Sequence, residues 1–331
     1  DGLFAASVSK RCGPDGKCVG LEILSWSCES GRALGRFEVP VSPEDDDRPL
    51  CLCLSPEGKR AAVGADTGKL WVVPLEGKGE PLWVEPQAHE ERILCCQWLG
   101  RDTFATGSED GAVREWSLAK RSRLAEVQAH DSGVRCLAFT EDGRRVLTAS
   151  DYEAPKFTDF REGRCLFVLK DKRREEASTQ TASSVSLSVD ERRGVTCSWD
   201  QALRLWDLEH GTLMAVVEHI SPWVVKGFGA TLAWSTSGLC ISHTWDRQIQ
   251  VWDFSEYLAP GPAPSQKDGA RSAPFDSEDC IWKLAVCQCD ASLVRMAAAR
   301  RWPELGAPAG GRRCLAFSDE EGAVHFFEAT G

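Results

Sequence analysis

The stretch VTCSWDQALRLWDL, residues 195–208, sets two short apolar runs on either side of a tight polar turn. The second run ends at Trp206, and Trp-Asp occurs twice, at 199–200 and at 206–207. Two apolar runs joined by such a turn are the pattern of a β-hairpin. The pattern returns at FATGSEDGAVREWSL (104–118) and CISHTWDRQIQVWDF (240–254). Weaker copies are AAVGADTGKLWVVPL (61–75), LTASDYEAPKFTDF (147–160) and LAFSDEEGAVHFFEA (315–329), and a first copy ends in LEILSWSCESG (21–31).

The position of the second Trp is held by Trp26, Val73, Trp116, Thr158, Trp206, Trp252 and Phe327, in steps of 47, 43, 42, 48, 46 and 75 residues. All steps but the last lie near 45, and the last spans an insertion. A period of this length marks a repeat architecture. Another apolar strand and turn precede several hairpins: LCLCLSPEGKR (50–60), VRCLAFTEDGRR (134–145) and TLAWSTSG (231–238). A fourth strand follows most of them: ALGRFEV (33–39), EPLWVEP (80–86), RLAEVQA (123–129), CLFVLK (165–170) and LMAVVE (213–218). Four strands per unit predict one antiparallel sheet, and seven sheets packed radially leave only short, protected edges.

These repeats resemble the WD-repeat (WD40) family over essentially the whole chain, most specifically in SWDQALRLWDL and TWDRQIQVWDF. The resemblance implies an all-β, seven-bladed β-propeller of four-stranded antiparallel blades, a single domain over 1–331. It also implies structural tetrads of His, Ser/Thr, Asp and Trp. These fall on His89, Thr106, Asp110 and Trp116 in the third unit. The fifth keeps Thr196, Asp200 and Trp206 with no evident His. The sixth keeps Ser242, Asp246 and Trp252, with His219 a looser match. Val73 and Thr158 stand where the second and fourth units need Trp, so no tetrad is expected there and those blades should be less rigid. A buried polar chain of this kind has to satisfy its own members, because each unpaired group costs about 1–3 kcal/mol. A catalytic reading of His89 and Asp110 is disfavoured, since the motif recurs across units as scaffolding does.

The ring is irregular in places. Residue 1 falls inside the first blade, whose innermost strand is therefore missing. AVHFFEATG reads as a third strand, which leaves the last blade without its outer strand. A rival register makes it the fourth. Residues 255–279 are rich in Pro, Ala and Ser and read as a flexible insertion replacing or preceding the sixth outer strand. Residues 292–305 read as a short basic helix carrying Arg295, Arg300, Arg301 and Trp302.

Composition narrows the function. The 331 residues carry a net charge of −11, against a general nucleic-acid or anionic-membrane binder. No run of about 18 apolar residues predicts a membrane helix. The start lacks the basic and apolar regions of a signal peptide and lacks Met, which suggests a piece of a longer or processed chain. Fifteen cysteines, many in apolar runs, read as reduced, buried thiols of an intracellular protein. No zinc-finger spacing and no GxxxxGK[ST], GxSxG or HExxH motif occurs. No catalytic residue, metal or cofactor is expected, and no small-molecule ligand.

The expected function is a non-enzymatic scaffold for protein partners, cytoplasmic with a nuclear setting also compatible. One face should gather the second-to-third-strand turns and the loops entering each innermost strand. On it the expected partner residues are Asp45, Asp46, Asp47, Glu109, Tyr152, Trp199, Trp223 and Trp245. The alternatives are the sensor propeller of a NACHT/WD-repeat STAND ATPase, which the chain resembles loosely, and the substrate receptor of a ubiquitin ligase. An RNA-binding propeller ranks below these.

Overall fold

The computed structural model describes residues 4–13, 18–27, 32–41, 47–75, 80–172, 182–198, 200 and 202–217, and seven later segments: 233–234, 239–244, 248–254, 282–288, 293–297, 314–319 and 324–328. All of its regular elements are β-strands. The first sheet joins β1 (Phe4–Cys12), β2 (Cys18–Ser27) and β3 (Ala33–Pro40). The second joins β4 (Pro49–Leu54), β5 (Arg60–Ala65), β6 (Leu70–Pro74) and β7 (Trp83–Glu85). The third joins β8 (Ile93–Trp98), β9 (Thr103–Ser108), β10 (Ala112–Ser117) and β11 (Ser122–Gln128). The fourth joins β12 (Val134–Phe139), β13 (Arg145–Ser150), β14 (Lys156–Asp159) and β15 (Arg164–Val168). The fifth joins β16 (Ala182–Leu187), β17 (Arg193–Ser198), β18 (Leu203–Asp207) and β19 (Thr212–Val217). The sixth joins β20 (Ala233–Trp234), β21 (Leu239–Thr244), β22 (Gln248–Asp253) and β23 (Trp282–Gln288). The last described sheet joins β24 (Leu293–Ala297), β25 (Cys314–Asp319) and β26 (Val324–Glu328).

Each sheet is an antiparallel meander in chain order, and its core lies between sheets rather than within one. Leu21, Ile23 and Phe37 of the first sheet pack with Val63, Trp71 and Val73 of the second. Val72 and Trp83 of the second pack with Phe104 and Trp116 of the third. The same holds between the third and fourth, and between the fourth and fifth. β4, β8, β12 and β16 pack side by side in that order, and the second strands β5, β9, β13 and β17 are buried almost throughout. β11 and β15 are largely exposed. The second, third and fourth sheets thus bury both faces against neighbours, as stacked repeats do. This is the architecture of a WD-type β-propeller.

The repeat is marked by irregularities as well as by strands. The pairing of third with fourth strand slips just before the Trp position in five sheets, at Ser25/Trp26, Glu115/Trp116, Phe157/Thr158, Leu205/Trp206 and Val251/Trp252. The pairing of first with second strand slips at Pro49/Cys51, Ile93/Cys95, Val134/Cys136 and Ala182/Ser184. A bulge bends and twists a strand, so a bulge recurring at one place in most of the units is a built feature. The bulges also settle the register of the incomplete sheets. β24 and β25 slip at Leu293/Arg295, the first-strand signature, and β25 and β26 pair without a slip. VHFFE is therefore a third strand. By the same rule β2 is a third strand and β1 a second strand.

The short basic helix expected over 292–305 is corrected: Leu293–Ala297 is strand β24, paired with β25. The run LVRMAAA favours helix locally, and pairing with the neighbouring strand overrides that preference. Arg300, Arg301 and Trp302 lie outside the described residues, as does the insertion 255–279. The sixth outer strand, β23, follows that insertion.

Glycine is required in two of the second-to-third-strand turns, those of the second and third sheets. Gly68 and Gly111 have φ of 79° and 80°, and a Cβ there would come within 2.3 Å of the His89 carbonyl and 2.2 Å of the His130 carbonyl. The His89 amide donates back to Gly68 O (3.1 Å) and the His130 amide to Gly111 O (3.2 Å). Each unit's histidine is thereby pinned to the turn of the unit before it.

Candidate functional site

The third sheet holds a complete polar chain. Trp116 Nε1 donates to Thr106 Oγ1 at 2.8 Å, Thr106 Oγ1 meets His89 Nε2 at 2.7 Å, and His89 Nδ1 meets Asp110 Oδ2 at 2.9 Å. Asp110 accepts at its carboxylate, so the ring proton sits on Nδ1, and Nε2 accepts the threonine hydroxyl. Burial lowers the pKa of His89 against the pull of Asp110, which keeps the ring neutral. Burial also opposes ionisation of Asp110. Its bonds from His89 and the Ala112 amide, with Arg114 nearby, outweigh that and lower its pKa to about 2. Both ring nitrogens are spent and the ring is buried, so this His/Asp pair presents nothing to a substrate.

The fourth unit has no tetrad, in line with Thr158 at the Trp position, yet it keeps part of the polar chain. His130 Nε2 meets Thr148 Oγ1 at 2.8 Å. Register explains the rest: Thr148 pairs with Lys156 as Thr106 pairs with Arg114, so Tyr152 stands where Asp110 does. The carboxylate moves one residue on, to Glu153. Glu153 Oε1 accepts the amides of Asp131 (2.8 Å) and Ser132 (3.0 Å), and Oε2 accepts Lys156 Nζ at 2.7 Å. Glu153 Oε2 lies 3.4 Å from His130 Nδ1, which has no hydrogen-bond partner. Lys156 also donates to Ala129 O (3.1 Å), as Arg114 does to Ala88 O (2.6 Å).

In the fifth unit Trp206 Nε1 donates to Thr196 Oγ1 at 2.9 Å. Arg204, fully buried, replaces the missing histidine's link. Its Nε donates to Asp171 (3.2 Å), and its Nη1 and Nη2 grip Asp200 in a two-pronged pair. In the sixth, Ser242 pairs with Gln250 and Trp252 with Cys240, matching Thr196 with Arg204 and Trp206 with Gly194. Asp246 and His219 lie outside the described residues.

The expected partner face separates into three groups. Asp47 is corrected: it is only 1 % exposed and accepts from Thr67 Oγ1 (2.5 Å) and Lys69 Nζ (3.0 Å). Desolvating a carboxylate requires such partners, and Asp47 spends its oxygens inside the second sheet's turn. Glu109 is partly exposed and pairs with Arg92 at 3.4 Å. Tyr152 is 74 % exposed. Asp45, Asp46, Trp199, Trp223 and Trp245 lie outside the described residues. The sequence reading missed Glu153, Asp171 and the basic residues Arg114, Lys156 and Arg204. The signal was there: each basic residue stands two before the Trp position.

The cysteine reading meets a repeated geometry. Cys51, Cys95 and Cys136 follow the first-strand bulge in successive sheets. Their thiols donate to the next sheet's carbonyls at Ile93 (3.5 Å), Val134 (3.6 Å) and Val185 (3.8 Å).

Comparison with known proteins agrees with this geometry. The family profile "WD domain, G-beta repeat" matches residues 79–117, 121–152 and 163–207. These three stretches are therefore WD repeats, and the sheets around them have the matching propeller fold. It is 26 % identical over 167 residues to Pre-mRNA-processing factor 19 of Bos taurus, covering 50 % of this chain and 32 % of that protein. It is 34 % identical over 211 residues to WD repeat-containing protein 90 of Mus musculus, covering 56 % and 11 %. It is 26 % identical over 200 residues to the Ribosome biogenesis protein WDR12 homolog of Drosophila persimilis, covering 53 % and 47 %. The chain thus spans less than half the length of these relatives. A chain of the crystal structure of the Mitotic Checkpoint Complex superposes with a TM-score of 0.70 at 17 % identity, covering 94 % of this chain and 82 % of that one. That likeness concerns the fold alone.

Proposed function

We propose that the chain is one seven-bladed propeller over 1–331 and a non-enzymatic scaffold. It binds protein partners through the face built from the second-to-third-strand turns. The observation that carries this reading is Tyr152. In the third unit the equivalent place holds a structural aspartate; in the fourth it holds a solvent-facing aromatic ring. The Glu153 network fixes the turn beneath it, so little ordering cost attends binding. Tyrosine is a frequent anchor at the centre of protein interfaces.

The described residues of the face offer little to phosphate. Arg48, Arg92 and Arg135 each lie beside a carboxylate, of Asp66, Glu109 and Asp151. The sensor-propeller and substrate-receptor readings both place a protein on this face and differ in the domains joined to it. The relatives named for pre-mRNA processing and ribosome biogenesis favour testing a nuclear setting beside the cytoplasmic one.

Proximity labelling in cells tests the reading. The wild type is compared with Tyr152→Ala combined with Glu109→Lys, and with Leu124→Ser on the exposed outer strand β11. Partners should be lost with the first variant and kept with the second. Equal recovery from both would remove Tyr152 and its face from the function.

A further inference from the structure

The hairpin of β1 and β2 is longer than its counterparts. In the third sheet the second and third strands pair no further than Gly107 with Val113, three residues before Trp116. In the first sheet pairing continues past Leu21 and Gly20 and ends at Cys12 opposite Cys18, eight residues before Trp26. A register shift between Arg11 and Cys12 brings these two cysteines into direct cross-strand opposition. Cys12 is exposed. The five residues between them, Gly13, Pro14, Asp15, Gly16 and Lys17, are turn-forming types.

We infer that Cys12 and Cys18 form a site of reversible thiol oxidation at the tip of this hairpin. Directly opposed residues of antiparallel strands have Cα atoms about 4.5–5.5 Å apart. A disulfide needs about 4.4–6.8 Å, so the backbone register already meets its distance requirement. The oxidant class is a small-molecule disulfide such as glutathione disulfide. The Cys12 thiolate attacks one of its sulfurs, forming a mixed disulfide and releasing one glutathione thiolate. The Cys18 thiolate then attacks the Cys12 sulfur, closing the protein disulfide and releasing the second glutathione. The two cysteines lose two protons and two electrons, and the electrons leave on the two glutathione molecules. The product locks the end of the one hairpin that extends beyond the common turn position. Cys51, Cys95 and Cys136 differ from this pair, since their thiols are turned to carbonyls of neighbouring sheets.

The test uses the full chain, equilibrated with glutathione redox buffers, alkylated and digested with trypsin without reduction. Cleavage after Arg11, Lys17 and Arg32 separates Cys12 from Cys18, so the disulfide appears as peptide 12–17 linked to peptide 18–32. Peptide 18–32 also contains Cys28, and fragmentation together with Cys28→Ser and Cys18→Ser assigns the partner. The expected result is a link that survives Cys28→Ser and vanishes with Cys18→Ser. Its equilibrium constant against glutathione should be about tenfold greater in the folded chain than in urea, because the register supplies the proximity. Recovery of Cys12 only as a glutathione adduct or linked to Cys28 would overturn the inference. So would an equal constant in urea.

Discussion

Replacing Thr106 by valine removes one hydroxyl, keeps the shape, and strips two partners at once. Trp116 Nε1 loses its acceptor at 2.8 Å, and His89 Nε2 loses its donor at 2.7 Å. Both sites are buried, so water does not replace the hydroxyl. Each orphaned group costs about 1–3 kcal/mol, which gives about 2–6 kcal/mol for Thr106→Val. Thr196→Val is the built-in comparison. Thr196 serves the Trp206 indole at 2.9 Å in a unit without the histidine, so the same change orphans one group and costs about 1–3 kcal/mol. Stacked repeats open locally, so the measurement is hydrogen exchange on peptides spanning 103–117 and 193–207. Local opening should become easier in both variants, with Thr106→Val losing roughly twice the protection free energy of Thr196→Val. Equal losses, or a larger loss at Thr196, would refute the assignment of the histidine to the chain of hydrogen bonds.

Two further outcomes follow from the same networks. Burial, with Lys156 the next cause, holds the pKa of His130 down from 6.5 to about 4. The unfolded chain therefore binds more protons in that window: the ring's stabilisation is complete above pH 6.5 and falls by roughly 3 kcal/mol on acidification towards pH 4. Urea midpoints measured across that range should drop in the wild type, with the histidine's share absent in His130→Gln. Glu153, held down to about 2 by Lys156 and the Ser132 amide against burial, begins to lose its contribution near pH 4.5, at the acid edge of that window, and loses most of it between there and about 2. Arg204→Ala takes the guanidinium from between two buried carboxylates and should destabilise by about 3–5 kcal/mol. Arg114→Ala, at the equivalent but more exposed position, should cost less by urea unfolding, and the reverse order would contradict the burial argument.

The hairpin period was legible because it rests on local patterns: paired apolar runs, a tight polar turn between them, and a Trp near the end of the third strand in four of the seven units. The tetrad in the third unit was legible for the same reason, through fixed spacing along the chain. What escaped was set by pairing between distant segments. Three successive aspartates at 45–47 read as a solvated acidic loop. Asp47 nevertheless turns inward, because Thr67 and Lys69 arrive beside it on the neighbouring turn. LVRMAAA read as a helix because strand pairing across a long connection is invisible to propensity. In the fourth unit the missing Trp ruled out a tetrad, but the carboxylate's shift by one residue to Glu153 hid the network that remains. Thr148 and His130 still stood at their repeat spacing.

The third, fourth and fifth units share a device that persists where the tetrad does not. Arg114, Lys156 and Arg204 occupy one register position, two before the Trp, and each joins two things. One is the carboxylate of its own second-to-third-strand turn: Asp110, Glu153 or Asp200. The other is the segment entering the sheet from the preceding unit: Ala88 O, Ala129 O or Asp171. Where a histidine follows that segment, the cation needs only a carbonyl, because the imidazole completes the link to the threonine. In the fifth unit Lys170 and Asp171 take over that stretch, and the link becomes fully ionic and fully buried. Histidine is thus one solution to fastening successive sheets at this point, and the basic residue recurs across the third, fourth and fifth units whether or not the histidine or the Trp is kept. The fastening also frees the turn residue itself. With Glu153 carrying the structural charge, position 152 is released from the network, and that is why the fourth unit can present a tyrosine there.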